Sequence, residues 1–178
     1  MIRVAFLRGM NLGNRRITNA ELGEQFERLG FASVATFQAA GNVVFEAGDA
    51  SEEELVGRIG SGLAAGLGYP VPTVLREAAE LRAIAAAEPF EAAVTAVAGK
   101  LQVLLLAAAP PASVRNAVLE HAGDEDRLAF GPRELYWLPS GRTTDSDLDL
   151  KAIESALGLQ TMRTRGTIAR LVAKHLPA

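Results

Sequence analysis

Ser33-Val34-Ala35-Thr36-Phe37-Gln38-Ala39-Ala40-Gly41-Asn42-Val43-Val44-Phe45-Glu46 is the stretch on which the fold turns. It predicts two short strands, 33–37 and 42–46, joined by a tight connection in which Gly41 can take positive φ. A hairpin of this kind sits in the middle of a longer pattern. Upstream, residues 2–8 read as a strand, with Ile2, Val4 and Phe6 on one face and Arg3, Ala5 and Leu7 on the other. A Gly/Asn-rich loop over 9–17 leads to Thr18-Asn19-Ala20-Glu21, which has capping-box spacing, and Leu22, Phe26 and Leu29 continue at helical intervals. Gly30 is placed to end that helix. Downstream, Ser51-Glu52-Glu53-Glu54 is a second capping box, opening a helix through about Leu67. Tyr69-Pro70 stops it, and 72–76 forms another strand. The order β-α-β-β-α-β is the ferredoxin-like arrangement.

The same order recurs after a connection. A helix is predicted over 77–87, with Leu81 and Ile84 as its apolar positions; Glu88-Pro89-Phe90 breaks it, and an alanine-rich segment leads to Lys100. Residues 101–107 form a nearly continuous apolar strand, of the kind covered on both faces. Pro110-Pro111 starts a helix ending near Gly123. A hairpin of 127–130 and 134–138 turns around Gly131-Pro132, and a polar loop over 140–147 leads to a helix over 148–157, closed by Gly158. A short last strand over 160–163 and a terminal helix over 167–175 complete the chain. The fold expected is α+β: two tandem ferredoxin-like (βαββαβ, α/β-plait) halves packed together, with extra connecting and C-terminal helices. The halves are 1–76 and 100–178, with 77–99 as connecting helix and linker. The repeat lies in element order, not in residue identity.

Composition bounds the chemistry. A length of 178 residues allows one domain or two small halves, and 32 alanines pad the 49% hydrophobic fraction without adding much buried area. Zero cysteines exclude disulfides, thiol nucleophiles and cysteine-based zinc sites. The net charge of −3 conceals an uneven distribution. Residues 1–46 carry five Arg against four Glu; 47–150 carry eight basic and sixteen acidic residues; 151–178 carry five basic residues and only Glu154. The basic end suggests either an anion-binding patch or a solvated helix face. No leader or membrane-spanning run is visible, and the longest apolar stretch, 103–111, is about half of what a bilayer requires. A bacterial cytoplasmic protein is expected, with no membrane partner.

Three motifs carry a resemblance. Arg8-Gly9-Met10-Asn11-Leu12-Gly13, the run Ala39-Ala40-Gly41-Asn42-Val43-Val44-Phe45, and the ending from Ser155 to Leu171 resemble the bacterial domain-of-unknown-function family 1697. Ala20-Glu21-Leu22, Leu29-Gly30-Phe31 and Glu88-Pro89-Phe90 are similar to the same family, which usually has Asn-Pro-Phe at the last. The resemblance implies two ferredoxin-like halves and no established activity. It also exposes departures. Where the family carries Gln-Ser before the hairpin glycine, this chain has Ala39-Ala40; where it reads Ser-Lys-Leu-Thr, this chain has Ser146-Asp147-Leu148-Asp149; and Thr-Arg-Asn-Trp becomes Met162-Arg163-Thr164-Arg165.

The first loop is the leading candidate site. Arg8-Gly9-Met10-Asn11-Leu12-Gly13-Asn14-Arg15-Arg16 lies between a strand and a helix; its glycines let backbone N–H groups turn toward an anion, and its arginines supply charge and bidentate donors. It is not a P-loop, because three residues separate Gly9 from Gly13 and no Lys-Ser/Thr pair follows. The bland alternative is a loop whose glycines only satisfy turn geometry. The ligand-binding residues expected are Arg8, Asn11, Arg15, Arg16, Asn42 and Arg163, taking a small anionic or phosphorylated ligand. Arg165, Arg170 and Lys174 could converge on the same place.

Other chemistries fit less well. Phe6 and Phe45, on expected central strands, read as core and not as a base-stacking platform in a chain that is 6% aromatic, so nucleic acid is not the expected partner. Asp145, Asp147 and Asp149 alternate like a calcium loop, but Leu150 and Ala156 occupy the positions that need Gly and Glu, so they read as helix-start acids. His121 and His175 lack partners at metal spacing, and no metal or cofactor is expected. Trp137 reads as core. Two alternatives to a small soluble binding protein remain: an enzyme of unknown reaction using the same cleft, with Asn11 or Asn42 orienting substrate, and a protein-interaction module.

Overall fold

Helix starts are where local chemistry is most explicit. Ser51 accepts from the Glu54 N–H while the Glu54 carboxylate accepts from the Ser51 N–H, so two donors that a helix start leaves orphaned are satisfied reciprocally. Thr18 and Glu21 repeat the arrangement. The computed structural model describes residues 1–11, 16–39 and 41–177. These two caps open α1 (Asn19–Arg28) and α2 (Glu52–Leu67), which lie among strands β1 (Ile2–Leu7), β2 (Ala32–Thr36), β3 (Asn42–Glu46) and β4 (Thr73–Glu77).

The four strands form one antiparallel sheet in the order β2-β3-β1-β4. Alternation along the strands places Ala5, Leu7, Val43, Phe45 and Leu75 against the helices, where they meet Leu22 and Phe26 of α1 and Leu55, Ile59 and Leu63 of α2. Three rings interlock there, with Phe45 4.6 Å from Phe31 and 5.5 Å from Phe26 between centroids. The other face, with Val4, Phe6, Val44 and Val74, is buried as well. Phe6 and Phe45 are thus core residues on the central strands, as the sequence predicts, and they lie on opposite faces of the sheet.

The chain then forms α3 (Ala78–Ala86), the single-turn α4 (Ala92–Thr95), β5 (Gln102–Leu106), α5 (Ala112–Leu119), β6 (Asp126–Phe130), β7 (Glu134–Pro139), α6 (Leu150–Leu157), β8 (Gln160–Thr164) and α7 (Arg165–His175). Strands β5 to β8 make a second antiparallel sheet in the order β6-β7-β5-β8, which repeats the rank order of the first. The fold is therefore α+β, with two four-stranded antiparallel sheets and seven α-helices among the described residues. One compact unit comprises Met1–Leu81 with the C-terminal residues from Lys174, and the other comprises Arg82–Ala173. In the second, Leu104, Leu106, Leu135 and Trp137 pack with Val118 of α5 and Ile153 of α6. All five residues of β5 are buried, as its apolar run predicts.

Several boundaries differ from the sequence reading. The alanine-rich segment contains the one-turn α4, which has no buried residue and hence no amphipathic signal. Helix α5 ends at Leu119, short of Gly123, because the chain turns through Glu120 and Ala122 with short-range carbonyl bonds. Helix α6 begins at Leu150, since Asp149 is its N-cap and accepts from Ala152 N–H at 2.9 Å. Asp149 thus acts at a helix start, as read from sequence, and no group of three acidic or histidine side chains among the described residues could hold a metal ion. Among the described residues, no helix is long and apolar enough to cross a membrane.

Candidate functional site

The first loop leaves β1 through two backbone bonds, Leu7 N–H to Gly41 O at 2.8 Å and Arg8 N–H to Pro72 O at 2.9 Å. Met10 turns inward and joins the helix-side core. Asn11 takes positive φ, a conformation asparagine tolerates better than most residues. Its amide reaches in two directions: Nδ2 donates to Ala39 O at 3.3 Å and Oδ1 accepts from Ile17 N–H at 2.9 Å. One side chain therefore ties the loop to the β2–β3 connection and to its own far end. Arg8 and Arg16 are both exposed. Arg15, with Leu12, Gly13 and Asn14, lies outside the described residues.

Asn42 is fully buried, and its Nδ2 donates to Phe37 O at 2.8 Å while Phe37 N–H donates to Asn42 O at 2.9 Å. It closes the hairpin from inside. Gly41 beside it has φ +69°, and a Cβ there would stand 2.8 Å from Met10 Cγ and 2.9 Å from Leu7 Cβ. A side chain at this position would be strained twice over, by conformation and by space. The expected residues Arg8, Asn11, Arg16 and Asn42 accordingly all belong to the first unit. The first turn of helix α1 holds the Glu21 carboxylate, which bonds from Thr18 keep below the ordinary glutamate range.

Arg163 belongs to the second unit, on edge strand β8 opposite Val103. Its Nη1 donates to Thr161 Oγ1 and to Met162 O, each at 2.8 Å. Burial lowers its guanidinium to about 10.

A second arginine two residues on was not singled out from sequence as a site residue in its own right. Arg165 is half-buried, its N–H donates to Leu101 O at 2.9 Å, and its Nη1 donates to Ala87 O at 3.0 Å. It lines a cleft of about 250 Å³ with Glu88, Pro89, Phe90 and Leu101. Tyr136 lies within reach of its charge: burial and Glu134, which accepts from the phenol at 3.2 Å, push Tyr136 up, and Arg165 pulls it down. The sequence signal was the Glu88-Pro89-Phe90 break. Its meeting with residue 165, 77 positions later, is a product of the fold.

Residues 1–136 match the family model described as protein of unknown function, DUF1697. The chain belongs to the DUF1697 family. The matched region of this DUF1697 protein includes the first loop, the Gly41-Asn42 turn and the Glu88-Pro89-Phe90 segment, and it stops before β8. The structure is similar to that of the conserved bacterial protein SP0830 from Streptococcus pneumoniae, with a TM-score of 0.76 at 19% identity, covering 97% of this chain and 98% of that one. At that identity the likeness is one of fold. No curated protein matches the DUF1697 chain.

Proposed function

We propose that this DUF1697 protein binds a small anionic or phosphorylated ligand through the loop from Arg8 to Arg16. The observation that carries the reading is Asn11, which is tied to Ala39 O and to Ile17 N–H while Arg8 and Arg16 stay exposed on either side of it. Fixing these anchor points lowers the conformational entropy lost on binding, so more of the arginine–anion energy appears as affinity. In this reading Arg8, Arg15 and Arg16 contact the anion, while Asn11 and Asn42 act by holding the frame. Arg163, with its guanidinium partly withdrawn from water in the other unit, is a second arginine to test. The scaffold is read as two ferredoxin-like halves, 1–76 and 100–178, joined by 77–99. The shared strand order, second-third-first-fourth in each sheet, supports that reading.

The test is a titration of the whole chain with inorganic phosphate and with glycerol phosphate at low salt, read by amide chemical shifts. Saturable shifts at Gly9, Asn11 and Gly41 are expected, weakened by added salt and by about tenfold in each of Arg8→Ala and Arg16→Ala. No saturable shift in the loop, or equal affinity in both variants, overturns the reading. Arg163→Ala is measured in the same series.

A further inference from the structure

We propose that the cleft formed by the Glu88-Pro89-Phe90 turn and Arg165 is a separate binding site for a small carboxylic acid carrying one negative charge and an apolar body. A half-buried guanidinium has given up part of its hydration, a cost that a carboxylate partner offsets. Arg165 has no carboxylate partner among the described residues; its one side-chain bond, from Nη1 to Ala87 O, orients the group without neutralising it. Its backbone is fixed too, by the bond to Leu101 O. A guanidinium carries five N–H donors in a planar fork that matches two carboxylate oxygens, so an oriented and unneutralised fork in a concavity fits a carboxylate.

The rest of the cleft restricts what that carboxylate can be attached to. Pro89, Phe90, Leu101 and Ala96 offer apolar surface. The Thr95 hydroxyl, which also lines the cleft, already donates to Glu91 O at 3.1 Å. A volume of about 250 Å³ lies just below the usual range for small-molecule pockets, which suits a body the size of one ring or a branched chain. Glu88 is exposed at the rim and disfavours a second negative charge, so a carboxylate is favoured over a phosphate dianion. For a ligand this small, a dissociation constant on the order of 0.1–1 mM is expected.

The test uses the full chain and three probes that share a ring: phenylacetate, its neutral counterpart phenylacetamide, and phenyl phosphate. Binding is read by saturation-transfer NMR and by amide shifts at Phe90 and Ala96. Phenylacetate is expected to saturate and to bind about tenfold more tightly than the amide, with phenyl phosphate weaker than phenylacetate. Arg165→Gln should abolish the preference for acid over amide, and Glu88→Gln should narrow the gap between phosphate and acetate. Ala96→Phe fills the cleft while keeping the arginine at 165, and should abolish binding of all three in a chain that stays folded. Equal binding of phenylacetate and phenylacetamide overturns the proposal, as does undiminished binding in Ala96→Phe. If Arg165→Gln does not fold, the acid–amide comparison and Ala96→Phe decide alone.

Discussion

Trp137 Nε1 donates to Asp126 Oδ1 at 2.6 Å inside the second unit, and the Ser146 hydroxyl donates to the same oxygen at 2.8 Å. Trp137 and Asp126 are both buried. The carboxylate thus joins the β6–β7 pair to the loop ahead of α6, and it supplies the acceptor that a buried indole N–H requires. Asp126→Ala leaves that N–H without a partner and is expected to cost about 1–3 kcal/mol, whereas Asp126→Asn keeps an acceptor and should cost less. Urea unfolding followed by fluorescence of the single tryptophan measures both variants. Equal losses would show that the interaction depends on charge and not on satisfying the indole.

Glycines in this chain divide into those that cannot bear a side chain and those that can. A Cβ on Gly99 would overlap the Gly141 carbonyl oxygen, and backbone cannot move aside as a flexible side chain can. Gly99→Ala should therefore destabilise strongly, by about 2–4 kcal/mol. Gly57 and Gly60 lie inside α2 with open space where a Cβ would go. Alanine at either should raise stability by about 0.5–1 kcal/mol, through helix propensity alone. Thermal unfolding of the three variants gives the test, and loss of stability in Gly57→Ala would contradict it.

Both N-terminal capping boxes were legible because the motif is local, with Ser51 and Glu54, and Thr18 and Glu21, three residues apart. Ser51→Ala should cost about 1 kcal/mol, and Thr18→Ala a similar amount. The Glu54 and Glu21 carboxyls are held below their ordinary range by hydrogen bonds from Ser51 and Thr18. A carboxyl with a lowered folded-state pKa contributes stability above its unfolded value and loses it as pH falls through the folded one. The difference between wild type and Ser51→Ala should accordingly shrink on acidification below about pH 4.5. A difference independent of pH would mean that the hydroxyl acts without the glutamate.

What sequence could not reveal is what long-range closure creates. The order of strands and helices follows from period and punctuation, which are local, and it was legible almost throughout. The role of Asn42 was not: its residue type suggested a ligand-binding or substrate-orienting group, and only the closed hairpin shows its amide turned inward to Phe37 O. Arg115 is similar. It bonds the carbonyls of Pro110, Gly131 and Pro132 and lies over the Phe130 ring, joining a helix start to a turn that nothing in the spacing connects. Arg165 read as one charge in a basic tail, because its partner Ala87 O is backbone and leaves no mark in the sequence.

His175 near the C-terminus of the chain is the group most suited to report on pH. Its ring meets Phe37 edge-on at 5.8 Å, and its buried Nε2 has no hydrogen-bond partner among the described residues. Burial first, and the Lys174 charge second, lower its pKa from the ordinary 6.5. In the unfolded chain the imidazole takes up its proton near the ordinary value, while in the folded chain it resists until lower pH. The unfolded state therefore binds more protons in that window, and stability falls as pH drops from about 6.5 toward the folded value. His175→Phe keeps an aromatic ring beside Phe37 and removes the titration. The variant should lose less stability than wild type between pH 7.5 and pH 5.5 in parallel urea titrations. Identical slopes in the two proteins would show that the ring near Phe37 titrates as it does in water.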